Sequence, residues 1–345
     1  MMTLMHYILL VSGVIISIHY IMSFMYEEYG KKNELVRSQN LYKTPAPDEY
    51  CKPDSPVHLQ DRKANTSIVV LEIMSSMKQL EDRFNRNYIW TLTNAMVKFG
   101  LIPSDHCHQP SWIDGEQASK SCDDMIKNDV IYGGRYWNMC RFNSGFFYRH
   151  ELLQKYWYYW RVEPDIQLFC DMDYDTFLMM QDQNKVYGFT MAISEIPATI
   201  PTLWNVVKSF IDANPDLVTP GNVMEFLSDD GRESYSLCHF WSNFEIADLD
   251  FWQGKAYSKF FEYLDEQGGF YYDHWGDAPV HSIRAALFTK KEQIHLFNDI
   301  GYQHDPFKHC PQGDVHTKGK CWCDPDKSVD YQIYSCLNQY DKLFP

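Results

Sequence analysis

The stretch YYWRVEPDIQLFCDMDYDTF, residues 158–177, places two short apolar runs directly before acidic residues. The first run ends at Glu163, and Pro164 then stops the strand because proline cannot donate to the hydrogen-bond ladder of a sheet. The second run ends at the acidic segment 171–175. In open α/β sheets, ligands bind beyond the carboxyl ends of the strands. The stretch therefore predicts a strand at 157–162 and a candidate site immediately after it.

Apolar runs and helical spacing alternate along the rest of the folded sequence. Further strands are predicted at residues 67–71, 96–102, 185–191 and 293–297. Helices are predicted where the apolar spacing is helical, at residues 77–84, 117–129, 201–214, 253–266 and 278–289. Strands that alternate with helices predict an α/β fold with a mixed, mostly parallel sheet.

Length and charge limit the classes of function. The chain has 345 residues and a formal net charge of −15, and this length can bury a sizeable core in one large domain or two small ones. Nucleic-acid binding needs clustered Lys and Arg side chains, and the sequence contains no such cluster. Aromatic residues make up 16% of the chain, which suits either an aromatic core or a sugar-binding cleft. The composition argues against a nucleic-acid partner and leaves the role of the rings open.

Residues 3–26 form an apolar segment without Asp, Glu, Lys or Arg. At about 1.5 Å per residue in a helix, this segment spans the roughly 30 Å hydrocarbon core of a bilayer. A cleaved signal peptide is the alternative, but the segment is long and has neither a basic region before it nor a clear cleavage site. We expect an uncleaved membrane anchor after a short tail at 1–2. A stem rich in proline and charge follows at 27–62, and the folded domain covers 63–345.

Two features indicate that the folded domain faces an oxidising lumen. The ten cysteines are an even number, as in disulfide-linked proteins. Asn65 begins the N-glycosylation sequon Asn-Thr-Ser. Cys321 and Cys323, with Cys310 and Cys336 nearby, are compatible with a zinc cluster or with disulfides, and a lumen favours disulfides.

Carboxylates and one histidine are candidate metal ligands. Glu163 directly follows the strand of the opening stretch, where a carboxylate can reach a divalent cation that bridges a diphosphate. His304 follows the predicted strand 293–297, and imidazole beside carboxylate suits Mn-type ions. The Asp-x-Asp patterns within 171–175 and at 248–250 match metal-dependent sugar-nucleotide enzymes, but this short pattern more often marks a solvated turn.

Two further carboxylates have aromatic neighbours in the sequence. Glu245 lies in HFWSNFEIADLDFW (239–252), where removal from water could tune its protonation. An exposed helical glutamate is the alternative. Asp277 lies in DHWGDAPVHS (273–282) and is most simply interpreted as the cap of a helix that begins near residue 278.

Several blocks of the sequence share their order and spacing with one family. The most distinctive block is YWNMCRFNSGFFYRHELLQKYWYYWRVEPDIQLFCDMDYDTF, residues 136–177. It is followed by YGFTM, TIPTLW, LCHFWSNFEIADLDF, GGFYYDHWGDAPVHS and DIGYQHDPF. Together, from roughly Ala64 to Cys336, these blocks resemble the fungal Golgi α-1,2-mannosyltransferases of glycosyltransferase family 15.

The resemblance implies a role for each candidate residue. Glu163, in the Glu-Pro-x motif, matches a metal-binding carboxylate, and His304 matches the second protein ligand. The ion would be Mn²⁺ on the diphosphate of GDP-mannose. Tyr136 and Glu245 match residues near the reacting sugar, with Glu245 as the catalytic residue, and Asp277 is assigned to substrate binding.

The resemblance also implies a reaction and a cellular setting. The reaction is retaining transfer of mannose to a mannose hydroxyl on O- or N-linked glycans of glycoproteins, as in cell-wall mannoprotein synthesis. Retention uses either a carboxylate nucleophile, for which Glu245 is the candidate, or same-face attack by the acceptor. The implied fold is a single-domain, Rossmann-like A-type glycosyltransferase with a type II anchor in the Golgi membrane. The aspartates of 171–175 are left with structural or pocket-wall roles.

One part of the chain departs from the family pattern. After EDRFNRNYIW (81–90) the sequence passes directly to TLTNAMVKFGLIP (91–103), where members of the family carry a further strand, a loop and a helix. The turn after the first strand is shortened as well. Both pieces belong to the nucleotide-binding half. The alternative function is therefore a weakened enzyme or an inactive, lectin-like relative.

Overall fold

A computed structural model describes most of the chain after residue 64. The described residues are 65–70, 98, 100, 102–103, 105–128, 130, 136–163 and 166–344. The predicted anchor, the stem, the helix at 77–84 and most of the strand at 96–102 lie outside them. Lys63–Pro345 group as one compact unit. Within the described ranges, no helix combines the length and hydropathy needed to cross a bilayer.

Ten strands occur in the described residues. They are β1 (Thr66–Val70), β2 (Tyr158–Val162), β3 (Gln167–Leu168), β4 (Tyr187–Phe189), β5 (Ala192–Ser194), β6 (Cys238–Phe240), β7 (Phe244–Asp248), β8 (Ile294–Leu296), β9 (Tyr302–His304) and β10 (Phe307–His309). Four of the predicted strands correspond to β1, β2, β4 and β8, so those predictions are confirmed.

Eleven α-helices occur in the same described residues. They are α1 (Gly115–Lys127), α2 (Tyr136–Gly145), α3 (Thr176–Asp182), α4 (Leu203–Ala213), α5 (Met224–Leu227), α6 (Leu249–Gln253), α7 (Lys255–Gln267), α8 (Gly269–Tyr272), α9 (Asp277–Phe288), α10 (Gly313–Lys318) and α11 (Leu337–Asp341). The predicted helices at 117–129, 201–214, 253–266 and 278–289 correspond to α1, α4, α7 and α9.

Two of the Asp-x-Asp aspartates are helix caps. The Asp175 carboxylate accepts hydrogen bonds from the backbone N–H groups of Phe177 and Leu178, at 2.9 and 3.0 Å, where α3 begins. Asp248 accepts from the backbone N–H of Asp250, at 2.8 Å, where α6 begins. Each cap satisfies a backbone donor that lacks a partner within its helix. A structural role is therefore seen at Asp175.

The central sheet is mixed, in the order β1–β2–β7–β4–β8. β1 pairs with β2 and β4 with β8 in parallel, whereas β7 runs antiparallel to both β2 and β4. The expected mixed sheet is confirmed: β1, β2, β4 and β8 all run in one direction, and β7 alone is reversed. The physical reason for this reversal is that β4 continues into β5 and β6 continues into β7. β5 and β6 also pair antiparallel. The segment β4–β5 therefore runs antiparallel to the segment β6–β7.

A second sheet brings distant parts of the chain together. β9 pairs antiparallel with both β10 and β3, and Leu168 of β3 lies opposite Tyr302 of β9. Since β3 begins four residues after Glu163, this pairing places β9 beside the segment that leaves β2. His304 is the last residue of β9.

Most of the aromatic rings among the described residues lie in the core. Trp252, Tyr257 and Trp275 have at most 1% exposed surface, and the large cluster around them spans β2, β4, β7 and helices α2, α4, α7 and α9. Burying a large apolar side chain stabilises a fold by about 1.5–3 kcal/mol. The aromatic content is therefore explained chiefly by packing.

Three disulfides fix the C-terminal part of the chain. They join Cys170 to Cys321, Cys238 to Cys336 and Cys310 to Cys323. The disulfide interpretation is confirmed for these cysteines. The zinc alternative is wrong, because the sulfurs of Cys310 and Cys323, which lie near a His316 nitrogen, are bonded to each other.

Candidate active site

Glu245 lies in the middle of the central sheet, on β7. Its side chain is fully buried, and the strand register places it opposite Arg161 of β2. The Tyr159 hydroxyl donates to Oε1 at 2.5 Å, the Tyr187 hydroxyl donates to Oε2 at 3.0 Å, and Nδ1 of His281 lies 2.9 Å from Oε2. The alternative of an exposed helical glutamate is wrong. A buried carboxylate with partners on both oxygens can keep its charge.

His281 links Glu245 to helix α2. Its Nε2 lies 3.0 Å from the backbone oxygen of Asn143. Because a carbonyl oxygen only accepts, Nε2 carries a hydrogen. Nδ1 of the same ring makes the second contact, to Oε2 of Glu245. The imidazole thereby fixes the position of Asn143 relative to Glu245.

Arg161 bridges two other carboxylates. Its Nε and Nη2 donate to Oε1 of Glu163 at 2.8 and 2.7 Å, and its Nη1 donates to Oδ2 of Asp277 at 2.5 Å. The Ser242 hydroxyl donates to the same Asp277 oxygen at 2.9 Å. Gly276, not Asp277, holds the capping position of α9. The interpretation of Asp277 as a simple cap is therefore wrong, because its carboxylate joins the Arg161 network.

Opposite charges hold this network in its ionised form. Burial raises the pKa of Glu245, but His281, Arg161 and Tyr159 outweigh it and lower that pKa below its usual value. Burial also raises the pKa of Asp277, and Arg161 and His281 likewise lower it below the usual value. Burial lowers the pKa of Arg161, while the surrounding carboxylates raise it well above the ordinary value. At neutral pH the site therefore holds two buried anions around one guanidinium.

Glu163 and His304 lie in adjoining parts of the fold. Burial, followed by the negative charge of Glu163, raises the pKa of Tyr302, which lies two residues before His304 on β9. Nδ1 of His304 is buried and has no hydrogen-bond partner. Arg161 directs both of its Glu163 contacts at Oε1. An unpaired imidazole nitrogen and a carboxylate are the ligand types that fit an Mn-type ion.

The other two predicted residues, Tyr136 and Asn65, lie in different parts of the fold. Tyr136 begins α2, the helix that also carries Asn143. Asn65 immediately precedes β1, and its Nδ2 donates to the backbone oxygen of Lys155 at 2.6 Å.

The sequence reasoning missed five side chains of the network, which are Tyr159, Arg161, Tyr187, Ser242 and His281. Arg161 offered a usable signal, because arginine is almost never fully buried unless it is paired, and it stands inside an aromatic strand. His281 offered a weaker signal, as one histidine within an apolar helix. Tyr159 offered none, since its sequence context does not distinguish it from a core residue.

A narrow space lies beside this network, between the sheet and α2. Its lining comes from β1, α2, the segment after α2, β2 and β7, and consists of Val69, Asn143, Phe147, Tyr159, Arg161 and Glu245. Three of these residues belong to the hydrogen-bonded network. The space is too narrow to admit a water molecule in this structure, and it borders charged and polar side chains.

The sequence matches a known family over most of its length. The family described as glycolipid 2-alpha-mannosyltransferase matches residues 30–343. The chain is 49% identical over 291 residues to Glycolipid 2-alpha-mannosyltransferase 2 of Candida albicans, which covers 78% of this chain and 63% of that relative. It thus spans less than two thirds of the Candida protein. It is 46% identical over 320 residues to Alpha-1,2 mannosyltransferase KTR1 of Saccharomyces cerevisiae, covering 85% and 81%.

Solved structures agree with this match. Core-mannan synthase A of Aspergillus fumigatus, in its Mn/GDP form, is 37% identical with a TM-score of 0.72 over 83% of this chain and 87% of that chain. The mannosyltransferase Ktr4p of S. cerevisiae, in complex with GDP, is 35% identical with a TM-score of 0.72 over 81% and 82%. The resemblance stated from the sequence is confirmed, and the chain belongs to the glycolipid 2-alpha-mannosyltransferase family.

Proposed function

We propose that this chain is a retaining α-1,2-mannosyltransferase. It moves mannose from GDP-mannose to mannose-terminated O- or N-linked glycans of glycoproteins. The observation that carries the proposal is the fully buried Glu245, held beside the Arg161–Asp277 pair. The names of the curated relatives support the reaction, and GDP in two solved relatives supports the donor.

Mn²⁺ is the proposed cofactor, with Glu163 and His304 as the residues that hold it. The unpaired Nδ1 of His304 supports this assignment, and so does the position of the Arg161 contacts, which occupy one Glu163 oxygen. The Aspergillus relative was solved with Mn and GDP. A bound divalent ion neutralises charge on a departing diphosphate. Arg161 orients Glu163 for this task.

Glu245 acts by electrostatic stabilisation of the positive charge that develops on the mannosyl ring, and the acceptor attacks on the face that the phosphate leaves. Both Glu245 oxygens accept hydrogen bonds, which hold the anion in place and reduce its nucleophilicity. A fixed charge in a site with little water is effective at the transition state. The second candidate is a covalent route with Glu245 as nucleophile. That route requires the carboxylate to give up at least one of its present partners.

We place the enzyme in the Golgi membrane as a single-pass type II protein. Residues 3–26 are the anchor, and 63–345 form the lumenal catalytic domain. The three disulfides favour an oxidising compartment. The sequon at Asn65 has the same implication.

The deciding experiment is mannose transfer from GDP-mannose to methyl-α-mannoside by the purified full-length protein. We expect an α-1,2-linked disaccharide with Mn²⁺ and no product with EDTA, with the linkage and anomeric configuration read by NMR. The alternative is the inactive, lectin-like relative suggested by the shortened nucleotide-binding half. A folded sample that neither transfers mannose nor binds GDP would establish that alternative.

The metal assignment gives a separate prediction. Glu163→Ala should reduce Mn²⁺-dependent transfer by more than about 100-fold, because loss of a metal ligand should exceed the 10–100-fold effect of an outer-shell partner. Mn²⁺ affinity, followed by electron paramagnetic resonance of the free ion, should fall as well. Glu233→Ala, at an exposed position, is the control and should keep both properties. Full activity in Glu163→Ala would refute the metal assignment.

A further inference from the structure

Asn143 of α2 carries a buried side-chain amide that the proposed mechanism does not use. We infer that this amide binds hydroxyl groups of the donor hexose and contributes to the choice of sugar. The inference rests on the proposed function and extends it to a residue that recognises the sugar.

The amide of Asn143 is buried and unpaired. The residue is 1% exposed, and neither Oδ1 nor Nδ2 has a hydrogen-bond partner. Buried polar atoms in folded proteins nearly always have partners, and an unmade hydrogen bond costs free energy. A ligand that supplied both a donor and an acceptor would remove this cost. The Asn143 amide therefore has an acceptor oxygen and an N–H donor group without protein partners.

The unpaired amide of Asn143 lies close to the proposed reaction centre at Glu245. Its side chain lines the same narrow space as Glu245 and Arg161. Its backbone oxygen is bound by His281, which also contacts Glu245. This contact fixes the backbone from which the amide projects. Tyr136 stands seven residues, or two turns, earlier on the same helix.

The chemistry of the neighbours points to a neutral, hydroxylated ligand group. Arg161 is already paired with Glu163 and Asp277, so a phosphate would have to compete with two carboxylates for it. The amide of Asn143 offers one acceptor oxygen and two N–H donors. Adjacent hydroxyls of a hexopyranose, each both donor and acceptor, match that set. The sugar, rather than the diphosphate, is the matching part of the donor.

One wall of the space belongs to the edge of the described sheet. Val69 lines it from β1, and among the described strands β1 pairs with β2 alone. A shift of β1 breaks fewer contacts than a shift of β2 or β7. Widening at this edge would admit a sugar ring without disturbing Glu245.

Asn143→Leu separates sugar binding from a structural role, because leucine has a similar volume and no polar atom. If the Asn143 amide binds the sugar, then without ligand the Asn143→Leu variant should unfold at the same temperature as the wild type or at a higher one. The reason is that the substitution removes an unpaired, buried polar group. Affinity for GDP with Mn²⁺ should not change. The extra affinity of GDP-mannose over GDP, measured by calorimetry, should be lost, and kcat/KM should fall about 10–100-fold, as expected for one or two hydrogen bonds.

Asn138→Leu is the matched control on the same helix. Asn138 accepts a hydrogen bond from the Tyr271 hydroxyl at 2.9 Å, so its loss should lower the unfolding temperature and leave the sugar-dependent affinity unchanged. If Asn143→Leu does not fold, Asn143→Ala takes its place with the same criterion. An unchanged difference between GDP-mannose and GDP affinity in the Asn143 variant overturns the inference. A wild-type protein that binds neither ligand would instead overturn the proposed function.

Discussion

At the scale of single residues, the partner of each carboxylate decides its role. Asp175 caps a helix, whereas Glu163 is held by Arg161 beside the candidate metal site. Local sequence could not distinguish these cases; the family resemblance selected Glu163. The partners of Glu245 could not be predicted either, because Tyr159 and His281 come from elements far apart in sequence.

Asp277→Asn tests the charge network through stability. Breaking a buried ion pair leaves Arg161 uncompensated on one side, so the free energy of unfolding at pH 7 should fall by about 3–5 kcal/mol. The folded-state pKa of Asp277 is lowered, so the unfolded chain binds more protons between the two pKa values. The stabilisation of the fold by ionised Asp277 is fully present above about pH 4, the ordinary carboxyl range. It is lost as the pH falls through the lowered pKa that Asp277 has in the folded protein.

The measurement is urea unfolding of wild type and variant between pH 3 and pH 7. The difference in unfolding free energy between Asp277→Asn and wild type should shrink as pH falls below about 4. Asp216→Asn, at an exposed position, is the control and should follow the wild-type pH dependence. A difference that stays constant over the whole range would show that Asp277 does not contribute as an ion.

At the scale of elements, strand positions were predictable, and the reversed direction of β7 was not. The runs that form β2 and β8 carry their β-propensity locally, so both were located correctly. Alternation of side chains has the same period in either direction. The sequence therefore contained no signal that β7 runs antiparallel to β2 and β4. That arrangement brings Glu245 opposite Arg161.

Gly145→Ala tests the packing of α2, the helix that carries Tyr136 and Asn143. A Cβ at Gly145 would lie 1.9–2.3 Å from ring atoms of Phe261 in α7. The ring or the helix must shift, and such overpacking typically costs about 1–3 kcal/mol. We expect a lower unfolding temperature by calorimetry and reduced mannose transfer, because α2 would move relative to the sheet.

Gly115→Ala is the matched control, at the start of α1. Its added Cβ would meet only the flexible Gln109 amide, at 3.2 Å, and alanine favours a helix over glycine by up to about 1 kcal/mol. The unfolding temperature of this variant should stay the same or rise. Equal losses in both glycine variants would mean that the tight approach of α2 to α7 has no special role.

At the scale of the whole molecule, the extended order of motifs identified the family correctly, since blocks spread over 136–307 constrain one another. The same sequence could not give disulfide pairing, because cysteines that bond, such as Cys170 and Cys321, are 151 residues apart. The sequence also did not show whether the shortened segment 81–103 affects nucleotide binding. Most of that segment lies outside the described residues. Anchor and topology therefore need a test independent of the fold.

Asn65 supplies that test, because glycan transfer to a sequon takes place in the lumen of the secretory pathway. The full chain expressed in a eukaryotic secretory host should carry one endoglycosidase-sensitive glycan, and Asn65→Gln should abolish the mobility shift. Nδ2 donates one hydrogen to the Lys155 carbonyl, and a glycosylated amide keeps one N–H for this contact. Thr66→Ala preserves the Asn-x-Ser sequon and should keep the glycan, whereas Ser67→Ala should lose it. A wild-type chain without any shift would contradict the lumenal placement of the catalytic domain, whatever the activity of the purified enzyme.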